Sequence, residues 1–326
     1  MQFDGRDGLY VASADLWLDG HSARPLSLVS HAHSDHVRPH RAIVATPATC
    51  DLIAARFRQR SAFRPLPFGE PLVRNGHRVT LFPAGHVLGS AQTLVEHAGT
   101  RLLYSGDVRL RPSYACEEAI VPRADIVVME STFGRPRWVF PPQEQIEAAV
   151  VAFVERAFAA EETPVLFAYS LGKAQEALAL LHARGIRVAA ADTIRAVNAI
   201  YMRHGVDLPD CLPFAPPLPP GVALVCPPQS RRGAAFAGLG RVRTAILSGW
   251  ALDKGARYRY GCDDGFPLSD HCGYDDLLRY VELSGAREVY TVHGYTREFA
   301  EDLQGRGVHA YPLAGEMQLA LPGLLA

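Results

Sequence analysis

The stretch Ser30-His31-Ala32-His33-Ser34-Asp35-His36 decides the reading of this chain. Three histidines and an aspartate fall within six residues, in the order H-x-H-x-D-H. Imidazole nitrogen and carboxylate oxygen are donors that suit zinc, manganese and iron. So short a segment cannot wrap all four side chains around one tetrahedral ion. In a tight turn they can divide between two neighbouring ions. A lone histidine would read as part of a solvated polar loop; the ordered cluster argues for a metal centre. The setting agrees. Pro25-Leu-Ser-Leu-Val-Ser30 precedes the cluster and Ile43-Val-Ala-Thr follows it, both reading as buried strands. Ligands at the mouth of a strand rest on rigid backbone, which catalysis requires.

The rest of the chain can supply more donors. His86 stands in Phe82-Pro-Ala-Gly-His-Val-Leu-Gly-Ser and Asp107 in Leu103-Tyr-Ser-Gly-Asp-Val, each just past a strand-like run. Alone, either reads as a turn or a cap. With the first cluster they complete a binuclear set. The two carboxylate oxygens of Asp107 suit it to bridge two ions, which sit about 4 Å apart in such centres.

The 326 residues are 48% hydrophobic, enough for more than one typical domain. A formal net charge of -1 gives no global basic field, so any nucleic-acid contact must rest on a local groove. Lys173 and Lys254 are the only lysines, so the arginines reflect compositional bias more than phosphate binding. No C-x-x-C pair occurs among the six cysteines, which argues against a zinc knuckle. The N-terminus lacks an apolar signal-like run and no stretch is long enough to span a bilayer. The expectation is a soluble cytoplasmic protein without a membrane partner.

Short strand-like runs dominate up to Phe133: Leu16-Leu18, Leu26-Val29, Ile43-Ala45, Val79-Phe82, Thr93-Glu96, Leu102-Ser105 and Ile126-Met129, with a helix over Cys50–Arg60. Helix and strand then alternate. Gln143–Ala160, Gly172–Arg184 and Thr193–His204 carry helical spacing, and Pro164–Ser170 reads as a strand. This predicts a small parallel sheet with flanking helices. The proline-rich stretch Pro209–Pro228 reads as an extended loop or flap. The strand-rich style returns near the end with Ala245–Ser248 and Glu288–Val292, alongside helices at Gly273–Ser284 and Thr296–Gln304. The middle of the chain therefore reads as an insertion, giving 1–140 and 259–326 as the outer domain and 141–258 as the insert.

His31, His33, Asp35, His36, His86 and Asp107, in this order and each after a strand, resemble the metallo-β-lactamase superfamily. Asp19, closing Leu16-Trp-Leu-Asp-Gly, matches the aspartate that in this family organises the ligands from behind. Glu130 in Val128-Met-Glu-Ser-Thr-Phe-Gly, His271 in Leu268-Ser-Asp-His-Cys-Gly and His293 in Val292-His-Gly-Tyr resemble the later motifs of its β-CASP nucleases. The resemblance covers essentially the whole chain. It implies an α/β fold, a metallo-β-lactamase αββα sandwich carrying an inserted β-CASP α/β domain. It also implies two divalent ions, zinc or manganese. One would be held by His31, His33 and His86, the other by Asp35, His36 and His293, with Asp107 shared. His271, oriented by Glu130, takes the role of general acid. A neighbouring carboxylate favours the protonated imidazole that this role needs. The plainer reading of His271 is a helix start capped by Ser269 or Asp270.

In the insert, Ser170-Leu-Gly-Lys-Ala-Gln-Glu resembles the serine-glycine-basic-glutamine segment of β-CASP domains. Ser170 and Lys173 at a helix start are candidate phosphate contacts, although the spacing is not that of a P-loop. Ser248-Gly-Trp resembles a segment facing the cleft, and Trp250 there is a candidate base-stacking residue; a buried core tryptophan is the plainer reading. Arg231, Arg232, Arg241 and Arg243 form a loose basic region that either steers a nucleic-acid backbone or is a solvated face.

The resemblance is closest to the bacterial DNA-ligase-associated exonucleases. It implies a phosphodiesterase that trims single-stranded or frayed DNA ends in repair, in functional association with a DNA ligase. One rival is an RNA-processing β-CASP ribonuclease, since a histidine at 293 is typical of RNA-acting members. Another is a small-molecule metallo-hydrolase, which would not need the insert, Glu130 or His271. A non-catalytic interaction protein would show degenerate ligands, and here the set is complete.

Overall fold

The computed structural model describes residues 2–4, 8–313 and 316–318. The chain forms two compact units. The first comprises 1–112, 116–139 and 271–326, and the second 113–115 and 140–270.

The chain begins with strands β1 (Gln2–Asp4), β2 (Gly8–Val11), β3 (Leu16–Leu18), β4 (Leu26–Leu28) and β5 (Ala42–Ala45). Helix α1 (Pro47–Arg56) and β6 (Ala62–Pro65) follow. Next come β7 (Pro71–Arg74), β8 (His77–Pro83), β9 (Ala91–His97), β10 (Thr100–Tyr104) and β11 (Ile126–Ser131). The second unit holds α2 (Gln143–Ala159), β12 (Thr163–Phe167), α3 (Lys173–Ala183), β13 (Arg187–Ala190) and α4 (Asp192–Arg203). It continues with β14 (Leu212–Pro213), β15 (Val222–Cys226), α5 (Ala234–Ala237), β16 (Val242–Leu247), α6 (Ala256–Tyr260) and β17 (Asp264–Phe266). The chain then returns to the first unit with α7 (Tyr274–Ser284), β18 (Glu288–Gly294), α8 (Thr296–Gly305), β19 (His309–Pro312) and β20 (Glu316–Gln318).

The first unit has two seven-stranded sheets, in the orders β20-β1-β2-β3-β4-β5-β6 and β19-β18-β11-β10-β9-β8-β7. Strand alternation explains how they stack. In β10, Leu102 and Tyr104 enter a core shared with Leu16, Leu18, Leu28 and Val44 of the other sheet. Leu103 points the other way, into a layer with Leu277 and Tyr280 of α7 and Phe299 of α8. Helix α1 buries Leu52 and Ile53 and packs on β5 and β6. The result is the αββα sandwich.

The second unit is an all-parallel six-stranded sheet, in the order β14-β13-β15-β12-β16-β17. Its central strands are apolar on both faces, because helices cover both; Val165, Leu166 and Phe167 of β12 all lie in its core.

Three expectations change. The proline-rich segment is not simply a loop: Val222–Cys226 is a fully buried strand between β13 and β12. Prolines on either side of that short apolar run disguise it. The expected boundary at 258 moves to 270, because β17 pairs with β16 and so extends the second unit's sheet. Helix α1 ends at Arg56 rather than Arg60 and starts earlier, since Thr46 caps it by accepting from the Thr49 amide, with Pro47 at its first position.

Candidate metal centre

Parallel pairing of β3 with β4 sets Asp19 beside Ser30. The Asp19 amide donates to the Leu28 carbonyl at 2.9 Å, and its backbone sits in the left-handed region at φ 46°. Buried there, the Asp19 carboxylate accepts four hydrogen bonds. They come from the Ser30 amide at 2.7 Å, the Ser30 hydroxyl at 2.5 Å, His36 Nδ1 at 2.7 Å and the Tyr104 hydroxyl at 2.9 Å. Burial alone would raise its pKa; His36 and Ser30 outweigh that and lower it.

These bonds fix two tautomers. A carboxylate only accepts, so the proton of His36 facing Asp19 is on Nδ1, and Nε2 is turned toward Asp107 Oδ2 at 3.5 Å. Ser30 spends its one hydroxyl proton on Asp19. Its oxygen therefore accepts from His31 Nδ1 at 3.0 Å, which leaves His31 Nε2 as a donor of electrons. Carboxylate partners behind histidines orient metal ligands in this way.

His31 Nε2 lies 3.1 Å from His33 Nδ1 and 3.4 Å from Asp107 Oδ2. His86 Nε2 lies 3.0 Å from the same His33 nitrogen and 3.7 Å from the same Asp107 oxygen. Four donors around a tetrahedral zinc at 2.0–2.1 Å would stand about 3.3 Å apart. The observed edges bracket that value, so these four residues fit one ion. Electrostatics agree. Burial would lower the His36 pKa, but Asp107 and Asp19 raise it well above the usual imidazole range. Burial and the neighbouring His36 hold His31 well below that range. Asp107 is pushed up by burial, yet His36, His271 and His31 pull it well below the usual carboxylate range. Asp19 and Asp107 thus stay ionised in the buried pocket beside a protonated His36, whose Nε2 proton a bound cation would replace.

The second set is looser. Asp35 Oδ2 lies 3.8 Å from His36 Nε2, with its side chain 76% exposed. The His293 ring centroid is 5.4 Å from that of His36. His293 itself has φ 55° and the next residue, Gly294, φ 73°. A register shift between β11 and β18 falls at this point and re-aims the strand end. A Cβ on Gly294 would meet the Ser131 oxygen and Thr132 Cα at 2.4 Å each, so only glycine fits.

His271 stands beside this centre. Its Nδ1 is 3.0 Å from both oxygens of Glu130, and its Nε2 is 4.0 Å from Asp107 Oδ2. Glu130 is fully buried and also accepts from the Val108 amide at 2.7 Å.

The insert residues named as candidate substrate contacts lie in different settings. Lys173 is buried and its ammonium is bonded to Asp270. The Ser170 hydroxyl is 3.2 Å from that of Thr193. Trp250 is not a core residue; it is 37% exposed in a short turn capped by Ser248. Three arginines of the loose basic region have partners within their own unit. Arg243 and Arg241 pair with Glu162 at 2.7 and 3.3 Å, and Arg231 donates to the Tyr260 and Gly261 carbonyls. Sequence reasoning missed Ser30, Tyr104 and Asp270. Ser30, next to the cluster, could have been found; Tyr104 gave no signal. Among the described residues, no helix is long and apolar enough to cross a membrane.

No protein-family model matches the chain. Over 316 residues it is 42% identical to a probable DNA ligase of Opitutus terrae, a match that covers 96% of this chain and 31% of that protein. It is 32% identical over 116 residues to cleavage and polyadenylation specificity factor subunit 3 of Dictyostelium discoideum, covering 35% of this chain and 15% of that one. It is 22% identical over 208 residues to an RNase J-like protein of Methanocaldococcus jannaschii, covering 54% of this chain and 49% of that one. The last two relatives are β-CASP nucleases of the metallo-β-lactamase superfamily. The chain belongs to the β-CASP branch of the metallo-β-lactamase superfamily. Its β-CASP insert is the six-stranded parallel unit, and its metallo-β-lactamase core is the αββα sandwich. The chain spans less than half the length of each of these three relatives.

Proposed function

We propose that this β-CASP protein is a metal-dependent phosphodiesterase acting on nucleic acid, and specifically an exonuclease that trims single-stranded or frayed DNA ends. The observation that carries the reading is His271. Its Nδ1 rests on Glu130 while Nε2 points at Asp107, the carboxylate that faces His31, His36 and His86. A histidine held so beside a metal centre suits a general acid that protonates a leaving alkoxide.

In this reading His31, His33, His86 and Asp107 hold one ion, and Asp107, Asp35, His36 and His293 the other. The imidazole-rich first set suits zinc, and the carboxylates of the second also suit manganese. Bound there, the ions would supply Lewis acidity and an activated water. The chain's own residues do the rest. Asp19 and Ser30 hold His36 and His31 in the tautomers that leave Nε2 free. Glu130 accepts from His271 Nδ1 and so favours the imidazolium, whose second proton, on Nε2, is the one given to the leaving oxygen.

DNA as substrate, and a link with ligation, are supported by the relative named a probable DNA ligase. The relative named a cleavage and polyadenylation specificity factor subunit favours an RNA reading instead. The test is direct. End-labelled DNA and RNA oligonucleotides of matched sequence are incubated with zinc- or manganese-loaded protein. Faster cutting of RNA replaces the DNA reading, and nicking of closed circular single-stranded DNA refutes the exonuclease. His271→Ala should keep both ions and slow cleavage roughly 10²–10⁴-fold. Loss of metal in that variant would make His271 a ligand and overturn its role.

A further inference from the structure

The ammonium of Lys173 is committed to a carboxylate inside its own unit. We infer that Lys173 is a positioning residue for His271, acting through Asp270, and not a contact to substrate phosphate; this rests on the phosphodiesterase reading above.

The helix start that carries Lys173 is poorly suited to hold an anion. The Gly172 amide donates to Gln175 Oε1 at 2.8 Å, and the Ala174 amide to the Tyr169 carbonyl at 3.2 Å. Donors of the kind that grip phosphate at other helix N-termini are spent here on the chain itself. Lys173 completes the pattern. Its side chain is 11% exposed, that of Asp270 4%, and the two form a close ion pair. The ammonium also lies 5.6 Å from the centroid of the Tyr169 ring, which adds attraction from the ring face. A cation so enclosed has little capacity left for a second anion.

Asp270 is joined by a peptide bond to His271. On the other side of the histidine, the Cys272 amide donates to the Val108 carbonyl at 2.7 Å. Val108 in turn donates its own amide to Glu130, the partner of His271. The residue before His271 is thus held by Lys173 and the residue after it by Val108. Removing Lys173 leaves a buried carboxylate without its cation, which is strongly destabilising locally. Asp270 would turn toward water, and the histidine would follow. A misplacement on the order of 1 Å costs a catalytic group about 10²-fold.

The two roles give opposite kinetics. A positioning role predicts that Lys173→Met and Asp270→Asn each lower kcat by roughly 10–100-fold with KM nearly constant. The double variant should be no worse than the poorer single one, because both break the same link. Lys173→Arg should recover most of the loss. A phosphate contact predicts instead that Lys173→Met raises KM, that the slope of log activity against log salt becomes shallower by about 1, and that Asp270→Asn is harmless.

The experiment measures kcat, KM and salt slope on a labelled single-stranded oligonucleotide, with metal content and melting temperature recorded for every variant. A second readout needs no turnover. The hydrogen-bonded His271 Nδ1 proton is followed by NMR in the metal-free protein and assigned by its absence in His271→Ala. Both Lys173→Met and Asp270→Asn should broaden or shift it. If wild type hydrolyses no phosphodiester but this proton responds to both variants, the functional reading fails and the positioning link stands. If wild type is active and Lys173→Met changes KM and salt slope while the proton stays unmoved, the inference is overturned. Should Lys173→Met fail to fold, Asp270→Asn and Lys173→Arg carry the same test.

Discussion

Replacing Asp19 by asparagine should cripple the ion held by His36 without disturbing the fold around it. The substitution is nearly isosteric, and asparagine tolerates the left-handed backbone at φ 46° better than most residues do. What changes is the hydrogen-bond chemistry. The carboxylate accepts all four of its bonds, and three of them converge on Oδ2: the Ser30 hydroxyl, His36 Nδ1 and the Tyr104 hydroxyl. An asparagine keeps its oxygen for the Ser30 amide and puts an NH2 where Oδ2 was. The two hydroxyls can rotate to accept. The imidazole can accept at Nδ1 only by moving its proton to Nε2, the nitrogen that faces Asp107 at 3.5 Å. That proton blocks the ligand position. Loss of a partner behind a metal-bound histidine costs 10–100-fold in affinity, or about 1.4–2.7 kcal/mol. Tyr104→Phe removes one bond of the four and leaves the His36 tautomer alone, so it should cost clearly less. Competition against a fluorescent chelator at neutral pH measures both. Equal affinity of wild type and Asp19→Asn for the second ion would refute the tautomer argument.

Glu130→Gln should retain both ions but lose cleavage by roughly 10²–10⁴-fold, since a neutral amide no longer favours the His271 imidazolium; metal analysis beside single-turnover kinetics checks this. Burial, aided by Arg24 and Arg38 against the pull of Asp19, lowers His40 to about 4. The folded protein thus resists a proton that the unfolded chain accepts below about pH 6.5. Stability from this group is therefore present above that pH and is lost as the pH falls toward 4, by roughly 1–3 kcal/mol. Urea midpoints at pH 7 and 4.5 should differ less in His40→Gln than in wild type; an equal difference would exonerate His40. Gly294→Ala should destabilise by roughly 2–4 kcal/mol, from the left-handed backbone and the collision with Ser131 and Thr132. Gly307→Ala, at φ 83° but with nothing within 4 Å, should cost only about 1 kcal/mol on the same thermal melt.

Candidate metal donors are legible because the chemistry demands particular side chains at close spacing, and β4, β8 and β10 each deliver theirs shortly past the strand end. His31, His33, His86 and Asp107 each offer an atom within 4.8 Å of the others'. Long-range partners leave no such trace. Tyr104 reaches Asp19 across 85 residues and Lys173 reaches Asp270 across 97, and nothing local in either segment announces the match. The same is true of Arg241 and Arg243, whose Glu162 partner is set by the pairing of β12 with β16. The αββα layering follows from strand alternation. The buried strand Val222–Cys226 did not, because five apolar residues between prolines carry too weak a signal.

The candidate donors also have a mechanical meaning. His31, His33 and His36 hang from the first sheet, whereas His86, Asp107 and His293 hang from the second. An ion held among them would rivet both layers of the sandwich. Whatever binds the folded chain alone raises its stability by RT ln(1 + [L]/Kd), about 2.7 kcal/mol at a hundredfold excess over Kd. The survival of this protein should then follow the metal supply around it, with scarce metal opening the sandwich to heat and proteases before it limits turnover.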